Sequence, residues 1–424
     1  MKRGSSPHGT TIFIALRQLW ERKLLNGIAL GGVTLGVLVL IAMNGIIKGF
    51  EDKFTSTILR ISPHVILFDT ELRPGAPLLQ RYTGTLVAAQ VAHESPNERD
   101  SRVKRPYEIV SALRTLPEVE AAAPSLAGMA LLEFGGKTKS VDLRGIERTS
   151  QDAVTPIARY IQAGRLADLD TATDGIVLGS GIAGDLGLHV GDTVHAAAAV
   201  GKPLDLKVVA IFEVEVPPVD KTRGYTTLRT AQALLGRADT IGRIEIRLRD
   251  SEDAIRVSDQ VEQIFGYDCE SWKESNANFL AVFAMQDMVV YFVIGAILLV
   301  GGFGILAIQI MIVLQKQRDI AILRSVGLRR ADILRIFLLQ GVIVALLGGA
   351  LGDGLGKVAL HFLAKLPVKA EGLVKMDTFI VHEETSIYVL GVVFALLVGV
   401  VASLIPAIRG SRVEPVEVLR GQVG

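Results

Sequence analysis

The sequence predicts an α-helical membrane protein with four transmembrane helices and a large α+β extracytoplasmic domain inserted between helices 1 and 2. Three observations carry that expectation. Charge-free apolar runs recur at Gly27 to Ile47, Met288 to Gln315, Ile336 to Gly352 and Ser386 to Ile408, in a chain that is 21% charged yet has a mean hydropathy of +0.41. The long stretch between the first two runs alternates short β-patterned segments with amphipathic helical ones. Lys and Arg gather between the second and third runs and again at Arg409, Arg412 and Arg420, which places those segments, and both chain ends, in the cytoplasm by the positive-inside rule.

The remaining bulk properties narrow the function. A net charge of +1 gives no electrostatic footprint for nucleic acid. A single cysteine, Cys269, excludes an intrachain disulfide, so the inserted domain must fold on its apolar core alone.

In chain order, 1–10 read as a loose N-terminus and 11–25 as an interfacial amphipathic helix, with Phe13, Leu16, Trp20 and Leu24 on one side. The first span occupies 26–48, long enough to cross a core of about 30 Å at about 1.5 Å per residue. Its apolar stripe continues through Phe50, Phe54, Ile58 and Ile61 as a stalk helix over 49–61, which Ser62-Pro63 stops. The extracytoplasmic domain takes 49–286. Within it Thr70 to Arg105 is an irregular insertion, Tyr107 to Leu116 a helix, and Met129–Phe134 with Lys139–Leu143 a hairpin about the turn 135–138.

The Gly136-Lys137-Thr138 in that turn is no phosphate loop, because Leu131 stands where the motif needs glycine. Further on, Gly175–Gly179 reads as a strand entering a helix, Lys207 to Val216 and Ile244 to Leu248 as strands, and Glu252 to Phe265 as a helix with Val257, Val261 and Ile264 inward. Residues Val216, Pro217, Pro218 and Tyr225 bracket a polar loop. A second stalk at 275–287 leads into span two at 287–315, which exceeds one perpendicular crossing and should tilt or project.

The segment 316–334 is a cytoplasmic loop too well patterned for a tether. Ile322, Leu323 and Val326 share one side of a short helix beginning near Arg318, and Gly327 closes it. Such a helix fits either a groove on a partner or the lipid headgroups. Span three, 335–360, carries Gly341, Ala345, Gly348, Gly349, Gly352 and Gly356 at intervals that let helices approach closely. Asp353 and Lys357 read as an i,i+4 pair at its outer rim that snorkels to water, with an intramembrane functional charge as the alternative. An outer loop at 361–385, span four at 386–408 and a cytoplasmic tail at 409–424 complete the chain.

Several of these phrases resemble one family. The run DIAILRSVGLRRADI is similar to the cytoplasmic coupling segment of FtsX/MacB-type ABC transporter permeases, and IPAIRGSRVEPVEVLRG to their C-terminal signature. The phrases KGFEDKFTSTILRISPHVIL and SWKESNANF resemble the LolC/LolE lipoprotein-releasing permeases more specifically. The resemblance covers nearly the whole chain apart from the insertion.

It implies a non-catalytic permease subunit, without cofactor of its own, driven by two copies of a cytosolic ABC ATPase that bind ATP and Mg. A second permease chain, identical or paralogous, would complete the unit. The substrate would be a lipoprotein held among membrane lipid and handed to a periplasmic lipoprotein carrier at the bacterial inner membrane.

By the same resemblance the ATPase docks on Arg318, Asp319, Ile320, Ile322, Leu323, Arg324, Val326, Gly327 and Arg330. The loop of Val216, Pro217, Pro218 and Tyr225 is a candidate carrier contact or a plain surface loop. Depth in the membrane nominates Val39, Met43 and Ile46 of span one, with Val289, Phe292 and Val293 of span two, for a lipid cavity or for ordinary helix packing. The sequence contains no HExxH, GxSxG or Walker motif, so a membrane enzyme or a self-sufficient ATPase is disfavoured. MacB-type efflux and an FtsX-like scaffold for a cell-wall hydrolase share the architecture and stay as alternatives.

Overall fold

The computed structural model describes residues 15–17, 20, 23–69, 102–172, 174–371 and 375–414. The N-terminus 1–10, most of the interfacial helix 11–25, most of the insertion after Thr70 and the end of the C-terminal signature lie outside them. Residues 15–17 and 20 are helical, with Lys23 Nζ 4.7 Å from the centre of the Trp20 ring. The chain forms two compact units. One comprises Met1–Asp52, Val282–Val368 and Asp377–Gly424, the other Lys53–Ala281 and Lys369–Met376.

Helix α1 (Lys23–Ile61) unites the expected first span and its stalk without a break. No proline interrupts it, and it stops where Pro63 disfavours a helical residue before it. The lobe then follows as β1 (Val65–Phe68), α2 (Pro106–Leu113), β2 (Val119–Phe134), β3 (Lys137–Ile146), α3 (Arg148–Val154), β4 (Ile161–Gly164), α4 (Asp168–Thr171), β5 (Gly175–Gly179), α5 (Ser180–Leu186), β6 (Thr193–Ala197), β7 (Leu204–Phe212), α6 (Pro217–Asp220), β8 (Arg223–Thr227), α7 (Leu228–Leu235), β9 (Arg243–Leu248), α8 (Ala254–Phe265), β10 (Asp268–Ser271) and α9 (Trp272–Ser275).

The long β2 is shared by two halves. Its first part pairs with β9, which continues through β1 to β10, and α2 and α8 contribute to the core of this half with Ile109, Leu113, Val257 and Val261. Its second part pairs with both β3 and β6, so that β2, β3, β8, β5, β7 and β6 close a ring. Leu132, Val141, Leu143, Ile176, Leu178, Val194, Leu206 and Val208 form one core cluster within it.

Three expectations need correction here. The β2–β3 turn has two residues, Gly135 (φ 58°) and Gly136 (φ 78°), because both must take positive φ to match the strand twist. Strand β7 ends at Phe212, not at Val216. On α8 the inward row is Ala254, Val257, Ser258 and Val261, while Ile264 is 55% exposed, since it falls off the i,i+4 row that meets the sheet.

The helical unit contains α10 (Ala277–Gln315) from Val282 onward, α11 (Gln317–Ser325), α12 (Arg330–Leu363) and α13 (Thr385–Ser411). With α1, three of these are long and apolar enough to cross a membrane. Between α12 and α13 the expected outer loop holds a hairpin, β11 (Pro367–Glu371) and β12 (Lys375–Thr378), whose residues 369–376 belong to the lobe. There Lys375 donates its backbone N–H to Glu215 O at 2.8 Å and its Nζ to Glu213 Oε1 at 2.9 Å.

Helix α12 is the hub of the bundle, and its glycines decide the packing. Added Cβ atoms on Gly348, Gly352 and Gly356 would meet Val33, Val37 and Ile41 of α1 at 2.6–3.0 Å. On the other side Gly341 faces Ser403 and Gly399 of α13, where any side chain would clash. Backbones this close gain dispersion contacts that bulkier residues would forbid. Gly32 of α1 and Gly301 of α10 also face each other, but added Cβ atoms there would sit at ordinary contact distance, 3.5–3.7 Å.

Asp353 corrects the sequence reading. Its Oδ1 is buried against Gly391 of α13, and no salt bridge joins it to the exposed Lys357 among the described residues.

Candidate functional site

One end of the bundle is built around α11. Asp319 lies in its first turn, where it meets the positive end of the helix and Lys316 Nζ at 3.6 Å. Gly327 at φ 112° ends the helix, and Leu328 N–H bonds back to Leu323 O at 3.2 Å. Arg329 then caps α12 through its backbone N–H to Asp332 Oδ2 at 3.0 Å.

The faces of α11 differ from the expected ones. Ile320 and Ala321 are buried, and Leu323 and Leu328 pack on the bundle core. Arg324 Nη1 donates to the carbonyl of Val413, strapping the helix to the end of α13. The open row is Arg318, Ile322 and Val326 at intervals of four, with Ile322 50% and Val326 78% exposed. Leu323 therefore does not share a free face with Ile322 and Val326, and Ile320 is a core residue. Asp319, Gly327 and Arg330 are exposed, Arg330 lying 3.9 Å from Glu414. Beside this helix Gln317 and Arg409 join Ile310, Leu314, Pro406 and Val413 around a cavity of about 100 Å³.

The six lipid-site candidates fall on two kinds of surface. Val39, Met43 and Ile46 of α1 are half-buried, the last two packed on the bundle core. On α10, Val289 and Phe292 are exposed and Val293 half-buried.

The proposed carrier loop is not a protruding one. Val216 and Tyr225 are buried, and the Tyr225 ring lies 5.4 Å from that of Phe212 because β8 runs between β3 and β5 at the centre of the sheet. Pro217 and Pro218 open the single turn α6, with Pro218 exposed. Asp220 ends that turn and accepts the Val214 N–H at 2.9 Å, and burial pushes its carboxyl up to about 6.

Sequence reasoning missed a buried polar knot in the lobe. Glu245 on β9 is fully buried, accepts from Ser125 Oγ at 3.0 Å and Gln151 Nε2 at 2.6 Å, and faces Arg144 Nη1 at 3.4 Å. The only signal was a Glu inside an alternating strand. Nothing in that pattern says that α3 covers the polar face.

These features define a protein with four helices long and apolar enough to cross a membrane, a separately folded α/β lobe, and a short helix with an exposed row at one end of the helix bundle. The model of the MacB-like periplasmic core domain matches residues 27–264, and that of the FtsX-like permease C-terminal region matches 291–415. The chain belongs to the family of the MacB-like periplasmic core domain.

Among curated proteins it is 27% identical over 414 residues to the lipoprotein-releasing system transmembrane protein LolC of Xylella fastidiosa, covering 92% of each chain. It is 26% identical over 417 residues to LolE of Haemophilus influenzae, again covering 92% of both. Among solved structures, the periplasmic region of MacB from Actinobacillus actinomycetemcomitans aligns with 54% of this chain and 97% of its own, at 14% identity and a TM-score of 0.33.

Proposed function

We propose that this chain is the membrane subunit of an ABC transporter that extracts lipoproteins from the outer leaflet of the bacterial inner membrane. The observation that carries the reading is end-to-end similarity to LolC and LolE together with the displayed row on α11. Both termini and α11 lie in the cytosol, and the lobe lies in the periplasm.

A separate ATPase, which binds ATP and Mg, docks on Arg318, Ile322 and Val326, while Ile320, Leu323 and Arg324 anchor the rod to the spans. Force entering there passes along α10 and α1, each a single helix of 39 residues. Helices without a break transmit displacement that a loop would absorb. Val289 and Phe292 face outward, so a lipid enclosure that includes them needs a second permease chain. Val39, Met43 and Ile46 supply its other wall. The released lipoprotein passes to a periplasmic carrier.

Depletion tests the reading: outer-membrane lipoproteins should accumulate in the inner membrane. Normal lipoprotein sorting with loss of efflux of a periplasmic compound would favour the MacB-type alternative instead. Ile322→Asp should abolish co-purification of the ATPase with the melting midpoint of the permease unchanged. Retained co-purification would remove α11 from the interface.

A further inference from the structure

We infer that Asp353, Thr34 and Tyr388 form a binding site inside the bundle for one small monovalent cation, a proton or an alkali ion. This site is independent of the transport reading. Three buried oxygens without a hydrogen-bond partner, Asp353 Oδ1, Thr34 Oγ1 and Tyr388 Oη, belong to three different helices, α12, α1 and α13.

The glycine packing draws them to one level. A Cβ on Gly391 would lie 2.9 Å from Asp353 Oδ1 and 3.1 Å from Val37 Cγ1, and one on Gly352 would lie 2.9 Å from the Thr34 carbonyl oxygen and from Val37 Cγ1. Thr34 stands one turn from Val37. Tyr388 stands one turn from Gly391 and within electrostatic reach of Asp353.

The carboxylate has no counter-charge there. The α1 stretch from Gly27 to Ile47 has no charged residue, and on α12 Lys357 and His361 are exposed. At the start of α13 stand Tyr388 itself, Glu383 and Glu384, whose sign repels rather than compensates, and His382, which pairs with Asp52 at 2.6 Å and Glu384 at 3.2 Å.

A carboxylate with one oxygen sealed off and unpaired is unfavourable, and a positive partner or a proton relieves it. A neutral water would satisfy the hydrogen bonds and leave the charge. Among the described residues no three His, Cys, Asp or Glu stand together, so the charge density that would hold a divalent ion is missing. One carboxylate and two hydroxyls suit a charge of one.

The test is thermal unfolding of the full chain in nanodiscs, wild type beside Asp353→Asn, across about pH 6 to 9 and with sodium exchanged for choline. Asn keeps the shape and mimics the neutralised side chain. The wild-type midpoint should drop by several degrees relative to Asp353→Asn, either as pH rises without sodium dependence, which identifies the proton, or when sodium is withdrawn at fixed pH, which identifies the alkali ion. Equal responses of the two proteins would overturn the site.

Should Asp353→Asn not fold, infrared spectra of the wild type decide. A protonated carboxylic acid band resistant to deuterium exchange, or a sodium-induced shift of a carboxylate band, supports the assignment. The absence of both overturns it.

Discussion

At the scale of single residues, the molecule is most sensitive where an atom is missing or a charge is hidden. Gly352→Leu must push Val37 away from a hub that has no slack, and overpacking of this kind costs about 1–3 kcal/mol. The expected result is a lowered melting midpoint in detergent, whereas Gly354→Leu, whose Cβ would meet nothing within 4 Å, should leave it unchanged. Asp220 gives a pH dependence of definite sign. Its carboxyl is pushed up to about 6 by burial, against 3.8 for the free group. Between those values the folded chain holds a proton that the unfolded chain has lost, so this group's contribution to stability falls as pH rises through that window and is least favourable above it. Asp220→Asn keeps an oxygen for the Val214 N–H, so it should raise the midpoint near neutral pH and change it little at about pH 4, as scanning calorimetry at the two values would reveal.

At the scale of elements, the phrase SWKES shows what a recognisable sequence can and cannot disclose. Ser271 and Glu274 form a reciprocal cap, Glu274 N–H to Ser271 Oγ at 3.3 Å and Ser271 N–H to Glu274 Oε2 at 2.7 Å. Trp272 is buried with its Nε1 donating to Ser251 O at 2.9 Å. These residues therefore fix the last turn of the lobe, α9, against its core. Ser271→Ala should cost about 1 kcal/mol and raise hydrogen exchange at the Glu274 amide of α9, and unchanged exchange would show that the cap is dispensable. The four long helices, the β2–β3 hairpin and strands β5, β7 and β9 were legible because periodicity, glycine pairs and charge-free length are local signals. The faces of α11 were not. A short helix with apolar residues on several sides does not say which side its own bundle claims, and only the burial of Ile320, Ala321 and Leu323 separates that side from Ile322 and Val326. Tyr225 and Val216 were misplaced for the same reason: proline and polar neighbours suggested a loop, while the central position of β8 in the sheet is a long-range fact.

At the scale of the whole molecule, the segment between α12 and α13 changes how the lobe is assembled. Glu213 holds Lys375, and Glu215, in the left-handed region at φ 62°, presents its carbonyl to the same residue and its carboxylate to Lys53 of α1 at 3.6 Å. Lys375→Glu should loosen this joint, seen as faster hydrogen exchange at the Lys375 amide, and Glu213→Lys in the same chain should restore protection by reversing both charges. Protection unaltered in the single variant would show that the backbone bond alone suffices. The consequence reaches into biosynthesis. Because residues 369–376 join a lobe whose other parts precede α10, the domain stays one piece short while the ribosome is still making the third apolar helix, and its completion waits on insertion of that helix. Assembly of the lobe is thereby tied to synthesis of a helix that lies outside it.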